Sequence, residues 1–293
     1  MLGRYIDRTN DRSLPPDFAG HVLLWDIDKT YLDTRFSSLR GLARIPFEVA
    51  VDKVTIPGAV ALIRALRHGP DEANRLRPLY FVSGSPPQIR VVLERRMTLD
   101  GVDFDGITFK DQLGLVLSGQ LRSLTGQLGY KLRALLLYRR ELPPGARYLC
   151  FGDDSEDDAA AFRLFGRVCG GLRGGALTDE LRRRRVPAWE VDEILALAED
   201  LPAWGPNPVD GAFIHLARRS APARLDGEGV VATRSYLQTA LWLADRAYVA
   251  PETVSVVTKA LRRVGLPEAR LDADLQDAIR RLGVSEGLAR FVA

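Results

Sequence analysis

The sequence predicts an α/β protein three layers deep, with helices covering both faces of a mostly parallel sheet. Three observations carry this. Residues 22–25, 78–83 and 147–152 are short apolar runs that stop abruptly at a polar residue or a glycine, which reads as strands buried on both faces. Between them lie segments with apolar residues at helical spacing, opened by proline and closed by glycine. The composition, 46% hydrophobic and 27% charged over 293 residues, is that of an ordinary globular protein with room for a catalytic domain and an appendage.

In chain order, residues 1–19 are polar, carry Pro15 and Pro16, and read as an N-terminal arm. The first strand ends at Asp26. The stretch from Asp33 through Arg35, Ser37 and Ser38 to Gly41 is too broken for a long helix and reads as a loop or hairpin. Pro57-Gly58 opens an amphipathic helix carrying Val60, Leu62, Ile63 and Leu66, closed by Gly69. A strand over 78–83 stops at Gly84, and Pro86 and Pro87 start the next helix. A third strand is expected over 104–109, and a glycine-punctuated stretch then leads to Gly129. A helix follows from Tyr130 to about Glu141, with Leu132, Leu135, Leu136 and Tyr138 on its apolar side. Next come a strand over 147–152, a helix over 159–165, a fifth strand over 167–170 and a helix over 189–200. Residues 212–216 read as an edge strand. From Thr233 only helices are expected, at about 233–248, 251–264, 272–282 and 285–291, two of them ended by Gly265 and Gly283. The expected division is an arm (1–19), a catalytic α/β domain (20–220) and a C-terminal helical domain (221–293).

Charge excludes little. The net charge of +3, from 41 basic and 38 acidic residues, gives no strong nucleic-acid signal. Lysine occurs only at Lys29, Lys53, Lys110, Lys131 and Lys259, so a lysine at a motif position carries weight. Cys150 and Cys169 sit in apolar surroundings and read as buried free thiols in a reducing compartment. No signal-peptide core and no run of roughly 18 apolar residues is present, so a cytoplasmic location is expected. The only histidines are His21, His68 and His215, too few for a zinc hydrolase. The arginine run 182–185 reads as a solvated helix end.

Four elements carry chemistry. Asp26 and Asp28 alternate just after a strand, where two close carboxylates repel unless a cation or a shared proton relieves them. A calcium loop begins similarly but needs a turn glycine and a distal glutamate that are absent. Ser83 and Gly84 end the second strand, where a hydroxyl and a bare backbone N–H can reach a phosphate oxygen. Lys131 stands in the first turn of its helix. Residues 152–158, Gly-Asp-Asp-Ser-Glu-Asp-Asp, place five carboxylates directly after a strand, a charge density that is costly without a cation. Oxygen-only ligands suit Mg²⁺.

As an ordered set over about residues 20–172, these elements resemble the four motifs of the haloacid dehalogenase superfamily of phosphotransferases. That resemblance implies a Rossmann-like parallel sheet with little or no cap. It makes Asp26 the nucleophile that carries an aspartyl-phosphate and Asp28 the general acid/base. Thr30, which supports the loop, would lie at the phosphate with Ser83, Gly84 and Lys131. Mg²⁺ would be held by Asp26, the backbone carbonyl of Asp28, Asp153 and Asp157. The doublets leave the register open, because Asp154 and Asp158 have the same spacing; Asp153 is favoured by its place beside Gly152.

The short spans between the motifs imply an open crevice and a bulky phosphorylated substrate, a lipid headgroup at a membrane surface among them. Val82-Ser-Gly-Ser-Pro86, Phe151-Gly-Asp-Asp and residues 212–216 are similar to the actin-patch type of phosphatidate phosphatase and its bacterial relatives. Those proteins usually carry serine where this chain has Gly84 and Asp154. Two other readings stand beside the phosphatase. A metal-dependent glycosyltransferase would use the acidic pair but has no role for Lys131. A non-catalytic binding module would keep only the metal.

Overall fold

A computed structural model describes residues 2–33, 54–70, 76–201, 205–218 and 220–293; the loop expected between Arg35 and Gly41 lies outside them. The chain builds one sheet from β1 (Ile6–Arg8), β2 (His21–Asp26), β3 (Leu79–Ser83), β4 (Gly106–Lys110), β5 (Arg147–Asp153), β6 (Val209–His215) and β7 (Val230–Thr233). Their order is β1-β4-β3-β2-β5-β6-β7. Every neighbouring pair is parallel except β1 with β4.

The continuous apolar runs follow from two covered faces. In β2, Leu23 and Trp25 enter one core while Val22 and Leu24 enter the other. The first core is closed by helices Ala59–His68, Arg90–Leu99, Tyr236–Asp245, Glu252–Arg263 and Glu268–Leu282. The second is closed by helices Leu128–Glu141, Asp158–Cys169, Gly174–Arg183 and Ala188–Glu199. Gly283 caps its helix at φ 67, a left-handed conformation that glycine adopts at no steric cost. No helix among the described residues is long and apolar enough to cross a membrane.

Four expectations are corrected. Part of the arm is β1, which pairs antiparallel with β4. Glu193 accepts hydrogen bonds from the amides of Gly3 and Arg4, the latter at 3.1 Å, and Arg133 donates to the Arg4 carbonyl at 2.8 Å. The expected strand at 167–170 is the last turn of helix Asp158–Cys169, where Phe165, Val168 and Cys169 continue the buried side begun by Ala161 and Phe162. Cys169 is therefore helical; both cysteines are buried free thiols, as expected. Strand β6 is interior, because β7 pairs along its outer side. The boundary expected near residue 220 falls between those two paired strands, and the C-terminal helices share a core with β2 and β3.

Candidate functional site

Because β2, β3 and β5 run parallel, their last residues arrive at one edge, where open α/β sheets form ligand crevices. That edge gathers Asp26 from β2, Ser83 from β3 and Asp153 from β5. Lys131 enters from the first turns of helix Leu128–Glu141 with only 2% of its surface exposed. Its ammonium lies 2.8 Å from Asp26 Oδ1, 2.5 Å from Asp158 Oδ1 and 2.7 Å from Glu156 Oε2. The Thr30 hydroxyl donates to the other oxygen of Asp26 at 3.1 Å.

Asp158 opens the helix after β5, yet its side chain folds back onto the strand. Its Oδ2 accepts the Asp153 amide at 3.0 Å. Only glycine at 152 allows this: a Cβ there would lie 2.5 Å from the Cβ of Asp158. Gly152→Ala is therefore expected to lower stability by about 1–3 kcal/mol, read from denaturant midpoints, and to disturb the site with it.

Carboxylate oxygens of Asp26, Asp153 and Asp158 all lie within 4.8 Å of one another, and all three residues are buried. Burial, and then the charge of Asp158, push Asp26 well above the usual carboxylate range despite Lys131. The same two causes push Asp153 up to about 7. Burial raises Asp158 as well. Burial disfavours the Lys131 ammonium too, but Asp158, Asp26 and Glu156 outweigh it and hold the lysine charged. Glu156 is also desolvated, and Lys131, Lys110 and Lys29 nonetheless keep it below its ordinary range. One ammonium in contact with this many carboxylates leaves the site short of positive charge.

Several sequence-predicted residues sit elsewhere. Asp157 is exposed, caps no amide with its side chain and lies outside the carboxylate cluster. Asp154 turns away and accepts the amides of Arg218 and Ser220 at 2.7 and 3.0 Å. The pairing thus takes Asp153 from one expected register and Asp158 from the other. Asp28 is half-buried, and its Oδ2 accepts the hydroxyls of Ser83 and Ser85, each at 3.0 Å. Thr30 is fully buried, so its hydroxyl serves Asp26. Gly84 lies against the Gln127 amide, which a Cβ would meet at 2.8 Å, and its carbonyl accepts Gln112 at 2.9 Å.

No protein family, no curated protein and no solved structure matches the chain.

The residues fit a hard divalent cation. The donors are all carboxylate oxygens, and Asp153 Oδ2 is buried without a hydrogen-bond partner among the described residues. Sequence reasoning missed Ser85 and Glu156, although both stand inside the quoted motifs. It also missed Lys110, buried at the end of β4, where it donates to the carbonyls of Leu124 and Gly126 at 3.2 and 2.7 Å. Burial pushes Lys110 down to about 8. The signal available for it was the scarcity of lysine.

Proposed function

We propose that the protein is a Mg²⁺-dependent phosphomonoester hydrolase of the haloacid dehalogenase superfamily, with Asp26 as nucleophile. The observation that carries this reading is the convergence of Asp26, Asp153, Asp158 and Lys131 at the carboxyl edge of β2 and β5. A metal-dependent glycosyltransferase needs the carboxylates but leaves a buried lysine in contact with Asp26 without a task.

A carboxylate is a weak nucleophile, so the work falls to positioning and charge neutralisation. Thr30 and Lys131 fix the two oxygens of Asp26. One of them attacks phosphorus and the ester oxygen leaves, taking its proton from Asp28. Asp28 then deprotonates a water, whose attack on phosphorus releases phosphate and restores Asp26. Lys131 balances negative charge on the transferring group. Mg²⁺, held by Asp26, Asp153 and Asp158, would supply the positive charge that Lys131 alone does not.

The substrate class is drawn from the same edge. The stretch after β4 exposes Leu113, Leu117 and Leu121, and Gln112 and Lys110 tie that stretch to the site. This favours a phosphate ester with an apolar body, such as a phosphorylated lipid. The experiment is turnover of an aryl phosphate and of phosphatidate in mixed micelles, with Asp26→Asn as the control. The variant is expected to lose on the order of 10⁴-fold or more in kcat while keeping its fold, since it removes one charge from a site with too many. Turnover surviving the substitution would refute the nucleophile.

A further inference from the structure

The loop that follows Asp26 is held from a distance. Tyr236 is the first residue of helix Tyr236–Asp245, far along the chain, and is buried. Its hydroxyl donates to the backbone carbonyl of Thr30 at 2.6 Å, and the Thr30 hydroxyl donates to Asp26 Oδ2 at 3.1 Å. A buried chain of two hydrogen bonds therefore runs from the C-terminal helical layer to the candidate nucleophile.

Two further observations bear on this link. The loop is strained: Lys29, not a glycine, sits at φ 61, and such a residue persists only where its surroundings over-determine it. The Lys29 amide donates to the Leu32 carbonyl at 2.7 Å, and the Thr30 carbonyl accepts the Tyr236 hydroxyl. The phenol ring is itself clamped. It stacks on His215, at the carboxyl end of β6, with centroids 5.4 Å apart and planes 7° apart, and it meets the Trp25 ring at 5.9 Å. Behind it, Gly58 approaches so closely that a Cβ there would lie 3.1 Å from the Cβ of Tyr236. A side chain gripped on three sides, with its donor aimed at one carbonyl, has the geometry of a fixed strut.

We infer that Tyr236 is a positioning residue that, through Thr30, sets the orientation of the Asp26 carboxylate and makes the C-terminal helices part of the catalytic unit. As a statement about catalysis this rests on the phosphatase reading; as a statement about the loop it does not.

The test is Tyr236→Phe in the full-length chain, with Thr30→Val as the second variant, read in two ways. Amide hydrogen exchange is expected to quicken in residues 27–32 of Y236F while the amides of β5 keep wild-type protection. Turnover of an aryl phosphate is expected to fall about ten-fold in kcat with KM unchanged. In the double variant the losses should not multiply, because both substitutions cut one chain. Unchanged exchange in 27–32, or equal acceleration there and in β5, would overturn the inference, as would losses that multiply. If the wild-type protein hydrolyses no phosphate ester, the phosphatase reading fails, and exchange in 27–32 still decides the role of Tyr236.

Discussion

Asp158→Asn is expected to lower kcat/KM for a phosphate monoester by more than about 100-fold, whereas Asp157→Asn should leave it within about two-fold. The two residues are neighbours in sequence and opposites in placement. Asp158 is fully buried, contacts Lys131 at 2.5 Å and shares the cluster with Asp26 and Asp153. Asp157 is exposed and lies outside that cluster. Removing even an outer partner of a metal ligand typically costs up to about 100-fold, so losing Asp158, a proposed ligand that also contacts the lysine, should cost more. Asparagine keeps the size and the acceptor oxygen for the Asp153 amide, so circular dichroism should show the fold retained. The measurement is kcat/KM across a Mg²⁺ titration, where Asp158→Asn should also raise the metal concentration needed for half-maximal rate. The reverse pattern, a silent Asp158 and an essential Asp157, would mean that the working site uses a different turn from the one described.

That contrast also marks how far the sequence could be read. Asp26, Ser83, Asp153 and Lys131 were legible because each stands where a periodic element begins or ends, and periodicity is a local signal. The choice between Asp157 and Asp158 was not legible, since the turn between Asp153 and the helix has no period. Where these side chains lie is set by contacts from elsewhere: Asp154 is drawn off by amides at Arg218 and Ser220, and Asp158 by Lys131. Strand β1 was hidden for the same reason. Its three residues show no alternation of their own and are strand only because β4 pairs with them. The strand misread at 167–170 shows the converse error, where a short apolar run beside a glycine mimics a strand although a helix already carries it. Tyr236 gave no signal, because its importance lies in one hydrogen bond to a loop some two hundred residues earlier.

In the presence of a chelator, the buried carboxyls Asp26, Asp153 and Asp158 are expected to contribute stability that is lost as pH rises from about 4 to about 7, and added Mg²⁺ should stabilise the protein most where that loss is greatest. Asp26, Asp153 and Asp158 all titrate above their unfolded values, Asp153 at about 7 against an ordinary 3.8. A carboxyl whose folded pKa is raised holds its proton more tightly in the native state. Its contribution is therefore complete below the unfolded pKa and disappears as pH climbs through the folded one. For Asp153 that window spans about 4 to 7 and is worth a few kcal/mol on an order-of-magnitude scale. Carboxyls of the opposite kind, such as Asp210 beside Arg147, lose stability toward acid, so the whole-protein curve mixes both signs. If the cluster is the proposed metal site, the Mg²⁺-dependent difference isolates it, because an ion held there would have to displace these protons. At a concentration about 100 times its Kd, an ion bound there would add about 2.7 kcal/mol, or roughly 4–5 °C in Tm for a chain of this length. That shift should appear at pH 8, shrink toward zero at pH 5 and vanish in Asp153→Asn at both. A Tm gain of equal size at pH 5 and pH 8 would place Mg²⁺ on groups that are already ionised in acid, away from the buried carboxylates.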